Sequence, residues 1–426
     1  MLKNKALAYI LASIHAVCIC IFASAQDPVL LNKIRQARYV SSSPKVASLG
    51  VLHYSDLHGD SLSTEKLVGV ISEFEPLIDA VINTGDAVHM YAEPTPKYPH
   101  ASEWWRQSEL AGKSLYVLGN HDGVLKFYEP GKGLDDLADW DSKGKEWEFD
   151  TYFADFVDKL GYTMPQGYDD PSSPYYKSCF WLKDFVPAKI RIIGLDCLHF
   201  KDNCLYNSTE QEAWLSARLD DTLDPSNPAY GYSVIIACHY PLDDFSGDNS
   251  QWDEASHRFI YNRNPGGGRV MDQRTNSVTN FHTPVTHSFK SSDRFSLNMK
   301  SKSGTMRYGF AKEEGNPFGD IVQSWVDKGG KFIVWLSGHC HNDMFYYPAR
   351  YPKLLCLAIE QAGNLRGNIT ADRGEDLDSR LCANYYGIDT QNGLLKIVRI
   401  GLSMNRFMVS KDVLCYDYVN KVVIFE

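Results

Sequence analysis

Short apolar runs recur along the chain, and each is closed by polar residues. Residues 51–55 lead to Asp56, 78–83 to Gly85-Asp86, and 115–118 to Gly119-Asn120-His121-Asp122. Further on, 190–195 lead to Asp196, 234–238 to His239, and 332–336 to Gly338-His339. Runs of this length, rich in Val, Ile and Leu and bounded by turn residues, predict buried strands. Helix-like or loop segments separate them, so the expected fold class is α/β with layered sheets. The polar clusters follow the runs rather than precede them. In open α/β sheets the ligand site lies outside the carboxyl ends of the strands, which gathers the candidate chemistry on one edge.

Two stretches break this rhythm. Residues 124–180 are rich in Asp, Trp, Tyr, Gly and Pro, with one helix-like piece around 152–160. Residues 262–305 open with Pro265-Gly266-Gly267-Gly268 and are rich in Ser, Thr and Asn. Both read as long insertions, which serve either as binding loops or as solvated excursions. From about 381 onward the pattern is that of antiparallel strands, with Asn392-Gly393 as a hairpin signal between 385–389 and 394–400. The expected organisation is one domain over 26–380 with insertions near 124–180 and 262–305, and a β-rich extension over 381–426 packed on the same domain.

The first 25 residues differ from the rest. Lys3 and Lys5 precede an apolar stretch over 6–22, and Ala23-Ser24-Ala25 supplies small residues at the cleavage positions. This is the pattern of a signal peptide cut before Gln26, and it implies an exported protein, periplasmic or secreted. As an uncleaved anchor the stretch is short for a span of about 20 residues, and Ser13 and His15 interrupt it. No other segment reads as a membrane span.

Composition narrows the class further. A hydrophobic fraction of 44% with 23% charged residues excludes a disordered chain. The net charge of −10 becomes −12 once the leader, with two lysines and no acid, is removed. An acidic balance argues against a nucleic acid as a standing partner, but not against a small phosphate ester, because metal charge can dominate a pocket. Eight cysteines follow the leader, too dilute for a disulfide scaffold. Cys238 and Cys340, each beside a candidate ligand, are expected to be buried and reduced.

Five clusters carry the candidate chemistry: Asp56-Leu57-His58, Gly85-Asp86, Gly119-Asn120-His121-Asp122, His239, and Gly338-His339-Cys340-His341. Each alone has an ordinary reading as a cap, a turn or a satisfied polar group. Together they place carboxylate, imidazole and amide donors at successive strand ends, the stock needed for two divalent ions. Two cations about 3.5 to 4 Å apart need an anionic bridge between them, and Asp86 is the best-placed carboxylate.

The order of the clusters resembles the calcineurin-like metallophosphoesterase superfamily, whose pattern is DxH, GD, GNH followed by an acid, a lone H, and GHxH. That resemblance implies a layered αββα sandwich of two mixed sheets flanked by helices. It also implies a ligand set: Asp56, His58 and His341 on one metal, Asn120, His239 and His339 on the other, and Asp86 bridging. The metals would acidify a bridging water to attack phosphorus in line, with His121 assisting the leaving group. The segment Glu210-Gln211-Glu212-Ala213-Trp214-Leu215 is similar to one that often precedes the lone-histidine strand in phosphodiesterase-like members. One departure stands out. Many relatives read GDxxD, whereas His89 follows Gly85-Asp86-Ala87-Val88 here, and purple acid phosphatases carry a metal-binding Tyr at that place. His89 therefore speaks against a tyrosinate-ligated iron centre.

The expected function is hydrolysis of a phosphate ester, a diester slightly ahead of a monoester, with Mn, Fe or Zn as the metals. The other readings are a non-catalytic module of the same fold that binds phosphorylated surface polymers, and a dinuclear hydrolase of amides or esters. His53, inside a strand run, is expected to be an ordinary solvated or satisfied side chain.

Overall fold

The computed structural model describes residues 31–32, 34–35, 37, 48–58, 60–87, 113–119, 163–175, 178–196, 199–201, 204–206, 209–240, 242, 250–253, 258–261, 297–301, 304–308, 317–338, 344–347, 351–359, 361–363, 381–401 and 413–425. Residues 1–25, the helix-like piece expected at 152–160 and most of the stretches 124–180 and 262–305 lie outside these residues, as do His89, Asn120, His121, His339, Cys340 and His341.

Two mixed sheets organise the chain. The first contains β1 (Ser48–Tyr54), β2 (Ala80–Asn83), β3 (Ser114–Tyr116), β16 (Cys382–Asp389), β17 (Leu394–Gly401), β18 (Val413–Asp417) and β19 (Val422–Phe425), in the order β19-β18-β17-β16-β1-β2-β3. Strands β1, β2 and β3 are parallel, and β16 runs antiparallel to β1 with His53 opposite Asn384. The second contains β4 (Trp181–Phe185), β5 (Ile190–Leu195), β8 (Ser233–Cys238), β13 (Lys331–Ser337), β14 (Met344–Tyr346) and β15 (Cys356–Ala358), in the order β14-β15-β13-β8-β5-β4. Its central strands β5, β8, β13 and β15 are parallel. Three separate hairpins complete the described strands: β6 (His199–Lys201) with β7 (Cys204–Tyr206), β9 (Ser250–Asp253) with β10 (Arg258–Tyr261), and β11 (Leu297–Ser301) with β12 (Gly304–Tyr308).

The continuous apolar runs follow from burial on both faces, as in parallel sheets covered on each side. Every residue of β2, β5 and β8 is buried. One hydrophobic core joins the two sheets, with Val51, Leu52 and Ile82 from the first and Ile193, Ile235 and Trp335 from the second. At the strand edges the sheets are also hydrogen-bonded. The Trp181 indole N–H on β4 donates to the Tyr116 carbonyl on β3 at 2.7 Å, and the Thr390 hydroxyl donates to the Ala188 carbonyl at 2.9 Å.

Helices flank this sandwich. Helix α1 (Ser61–Phe74) starts where the first cluster ends, because Asp60 caps it by accepting from the Leu62 and Ser63 amides. Helix α2 (Thr209–Asp220) buries Gln211, Trp214, Leu215 and Leu219 on one face. Helix α3 (Pro317–Asp327) does the same with Phe318, Val322 and Trp325. The layered α/β architecture expected from the motif order is the one observed. No helix among the described residues is long and apolar enough to cross a membrane.

The C-terminal hairpin falls where expected: strand pairing begins at Asp389 and Leu394, so the loop has four residues and ends on Asn392-Gly393. The Asp389 carboxylate explains it: Oδ1 accepts from the Gln391 and Asn392 amides and Oδ2 from the Asn392 side chain. That pattern spreads the turn and leaves Gly393, at φ 69°, to close it in a left-handed conformation.

Candidate metal centre

Three strands deliver the first set of donors. Asp56 and His58 follow β1, Asp86 follows β2, and His239 follows β8 on the other sheet. The two loops of the first sheet are laced together: the Asp56 amide donates to the Gly85 carbonyl and the His58 amide to the Asp86 carbonyl, each at 2.9 Å. Asp56, His58 and Asp86 have φ values of 55°, 50° and 54°. Left-handed backbone at residues with a Cβ costs about 1 to 2 kcal/mol each, and such positions cluster where a site must hold its donors in place.

Asp56, His58 and Asp86 are buried, and each offers a ligand atom within 4.8 Å of the others. The His58 Nε2 lies 3.7 Å from Asp56 Oδ1. His239 joins them from the second sheet, fully buried, with Nε2 3.4 Å from Asp86 Oδ2. Its Nδ1 lies 2.7 Å from the Thr84 carbonyl. A carbonyl only accepts, so Nδ1 carries the proton and Nε2 is the nitrogen turned to the carboxylates.

The chain enters the third and fifth clusters through glycines pressed against this group. A Cβ on Gly119 would lie 2.2 Å from the backbone N and from Oδ1 of Asp86. A Cβ on Gly338 would lie 1.8 Å from Ser55 Oγ and 2.4 Å from Asp56 Oδ2. The residues just before Asn120 and His339 thus abut Asp86 and Asp56. A further strap comes from 361–363, where the Ala362 and Gly363 amides donate to the Ser55 and Asp56 carbonyls at 2.8 and 3.1 Å. Nothing in the local sequence around Gln361 marks that contact.

Electrostatics show what the group lacks. Burial alone would lower the pKa of His239, but the charge and hydrogen bond of Asp86, the charge of Asp56 and the Thr84 carbonyl raise it to about 10. Two buried carboxylates hold a proton on the imidazole because they need positive charge beside them. A divalent cation meets that need better, and carboxylate with imidazole is an ordinary donor set for one. The residues present fit a metal.

Residues outside the motif blocks complete the surroundings. His53 is fully buried in β1, with Nδ1 3.0 Å from the Tyr386 hydroxyl and Nε2 3.0 Å from Thr84 Oγ1. Burial, then the Arg399 charge, lower its pKa to about 3, with Asp56 opposing, so the ring is neutral. Thr84 escaped sequence reading, although its place directly before Gly85-Asp86 was a signal.

A family model described as calcineurin-like phosphoesterase matches residues 49–267. Among solved structures, a dimetal phosphatase from Danio rerio is similar at 10% identity and a TM-score of 0.39, over 87% of this chain and 99% of that one. A predicted phosphoesterase from Streptococcus pneumoniae matches at 12% identity and a TM-score of 0.29, over 87% and 98%. The anchor in the inner membrane complex of Plasmodium matches at 10% identity and a TM-score of 0.37, over 86% and 90%. No curated protein matches by sequence.

Proposed function

The chain belongs to the calcineurin-like phosphoesterase family, and from that premise we propose that it is an exported two-metal enzyme hydrolysing a phosphate ester, a diester slightly ahead of a monoester. The observation that carries the reading is the buried group of Asp56, His58 and Asp86, with the Nε2 of His239 turned to Asp86. Asp56 and His58, with His341, would hold one metal; His239, with Asn120 and His339, the other; and Asp86 would bridge. Contacts of Gly119 and Gly338 with Asp86 and Asp56 support the inclusion of their chain neighbours Asn120 and His339.

Bound there, two cations supply charge to offset the phosphate oxygens and acidify a water molecule. The protein's own part is to fix the donors before substrate arrives, through the laced loops and the Thr84 carbonyl on His239. His121 would give a proton to the leaving oxygen or stabilise its charge. A ligand set of carboxylates, imidazoles and one amide suits Mn, Fe or Zn. Export rests on the basic, apolar and small-residue pattern of the first 25 residues. The departure from GDxxD at His89 and an exported site both favour a diester or broad substrate over a phosphoprotein.

The test is to purify the protein, count its metals by mass spectrometry, and assay p-nitrophenyl phosphate and bis-p-nitrophenyl phosphate with and without added Mn. About two metals per chain with turnover dependent on them supports the proposal, and the ratio of the two rates decides diester against monoester. A chain that binds no metal and turns over neither ester after metal is supplied overturns it in favour of a non-catalytic binding module.

A further inference from the structure

We propose that His53 and Tyr386 are positioning residues for the metal centre, the middle of a hydrogen-bonded chain, Asn384 to Tyr386 to His53 to Thr84 to His239, through which the C-terminal strand β16 orients His239 and the Asp86 loop. The inference rests on the reading above that His239 and Asp86 hold metal.

Each link is set by strand pairing. Antiparallel pairing puts His53 opposite Asn384 and Val51 opposite Tyr386, so the period-2 alternation brings His53, Asn384 and Tyr386 to one face. The Asn384 amide donates to the Tyr386 oxygen at 3.2 Å. The Tyr386 hydroxyl lies 3.0 Å from His53 Nδ1, and Thr84 Oγ1 lies 3.0 Å from His53 Nε2, so the neutral ring donates to one and accepts from the other. The carbonyl of the same Thr84 receives the Nδ1–H of His239 at 2.7 Å. Thr84 is therefore held by its side chain while its backbone aims a proposed ligand, and Asp86 lies two residues further along the same loop.

A neutral imidazole suits this place because it has one lone pair and one N–H on opposite sides, which makes the chain directional. Burial and the nearby Arg399 charge keep His53 neutral. Packing alone does not ask for it: its neighbours on β1 are Leu52 and Tyr54, both buried, and an apolar residue would fill the strand without the desolvation cost of a buried ring. Hydrogen bonds that orient metal-bound imidazoles commonly change metal affinity about 10- to 100-fold when lost. Tyr386 lies beyond the residues matched by the family model, so this support comes from a part of the chain that the family pattern does not cover.

The experiment compares the parent protein with Tyr386→Phe, His53→Leu and His53→Gln, using Co²⁺ as the probe. Equilibrium dialysis gives the affinities, the cobalt absorption spectrum reports ligand geometry, and melting of the metal-free chains measures purely structural damage. Tyr386→Phe and His53→Leu are expected to weaken one cobalt by about 10- to 100-fold and to shift its absorption band. His53→Gln, whose amide also has a donor and an acceptor, is expected to recover most of the affinity. Parental affinities and spectrum in Tyr386→Phe and His53→Leu overturn the relay, and if His53→Leu fails to fold, Tyr386→Phe alone decides. A parent protein that binds no cobalt overturns the functional reading and takes this inference with it; a parent that binds while the variants match it sinks only the relay.

Discussion

His239 is gripped at both ring nitrogens by one loop: Nδ1 lies 2.7 Å from the Thr84 carbonyl, and Nε2 lies 3.4 Å from Asp86 Oδ2. The two grips have different chemical character. The carbonyl fixes the ring's tautomer and plane, while the carboxylate favours a proton on the other nitrogen, which a cation would displace.

A pH dependence follows for the metal-free protein. The pKa of His239 is raised from 6.5 to about 10 by Asp86 above all, against the opposing effect of burial. The protonated ring then contributes stability that is fully present below pH 6.5 and is lost as pH rises toward 10. Melting in chelator should fall across that window, and less steeply in His239→Gln. Metal uptake should displace the proton, so calorimetry near pH 8 in buffers of different ionisation enthalpy should detect proton release.

His53 predicts the reverse behaviour in acid. Burial and then Arg399 hold its pKa down at about 3, so its contribution is present above pH 6.5 and is lost as pH falls from 6.5 to 3. One proton of linkage is worth at most about 1.4 kcal/mol per pH unit. Urea unfolding of His53→Gln should show a shallower loss of stability than the parent over that range, and equal slopes would refute the assignment.

The proposed roles of Asp86 and His121 separate in a simple comparison. Asp86→Ala should lower both metal content and turnover. His121→Ala should keep its metals and lose about 10²- to 10⁴-fold in kcat, the usual worth of a general acid. Its deficit should shrink for esters with better leaving groups, because those need less help from a proton donor.

Two glycines give a paired test of packing. Gly338→Ala would set a Cβ 1.8 Å from Ser55 Oγ, and overpacking of this kind costs about 1 to 3 kcal/mol. A lower melting temperature and reduced metal content are expected. Gly69→Ala, exposed on α1 with nothing within 4 Å of the new Cβ, should instead stabilise by about 0.5 to 1 kcal/mol.

Legibility in the sequence tracked how local each cause was. Strand β5 coincides with the run at 190–195 because every residue of it is buried, and its one charged residue, Arg191, is paired with Asp184 and Asp221. Helix α2 begins one residue before the segment singled out, at Thr209. Asp56, His58, Asp86 and His239 were visible because each ends a strand, and the sheets bring these four together. Thr84, His53 and Tyr386 were not visible as a group. A strand histidine looks the same in sequence whatever its nitrogens meet, and here one partner is 333 residues away. The hairpin after Asp389 was legible because Asn392-Gly393 marks it locally, whereas the part its Asp389 carboxylate plays was not.

The left-handed backbone at Asp56, His58 and Asp86 has a consequence for anyone evolving this protein toward heat resistance. Glycine at any of the three positions relaxes the chain by about 1 kcal/mol and deletes a donor in the same stroke. Libraries ranked by thermal survival in chelator will therefore enrich for inactive clones at those three codons. The same libraries ranked with a binding cation in the medium will retain the parental residues, because the ion rewards the folded state that holds it. The composition of the screening buffer, more than the mutagenesis, will decide whether the survivors keep their chemistry.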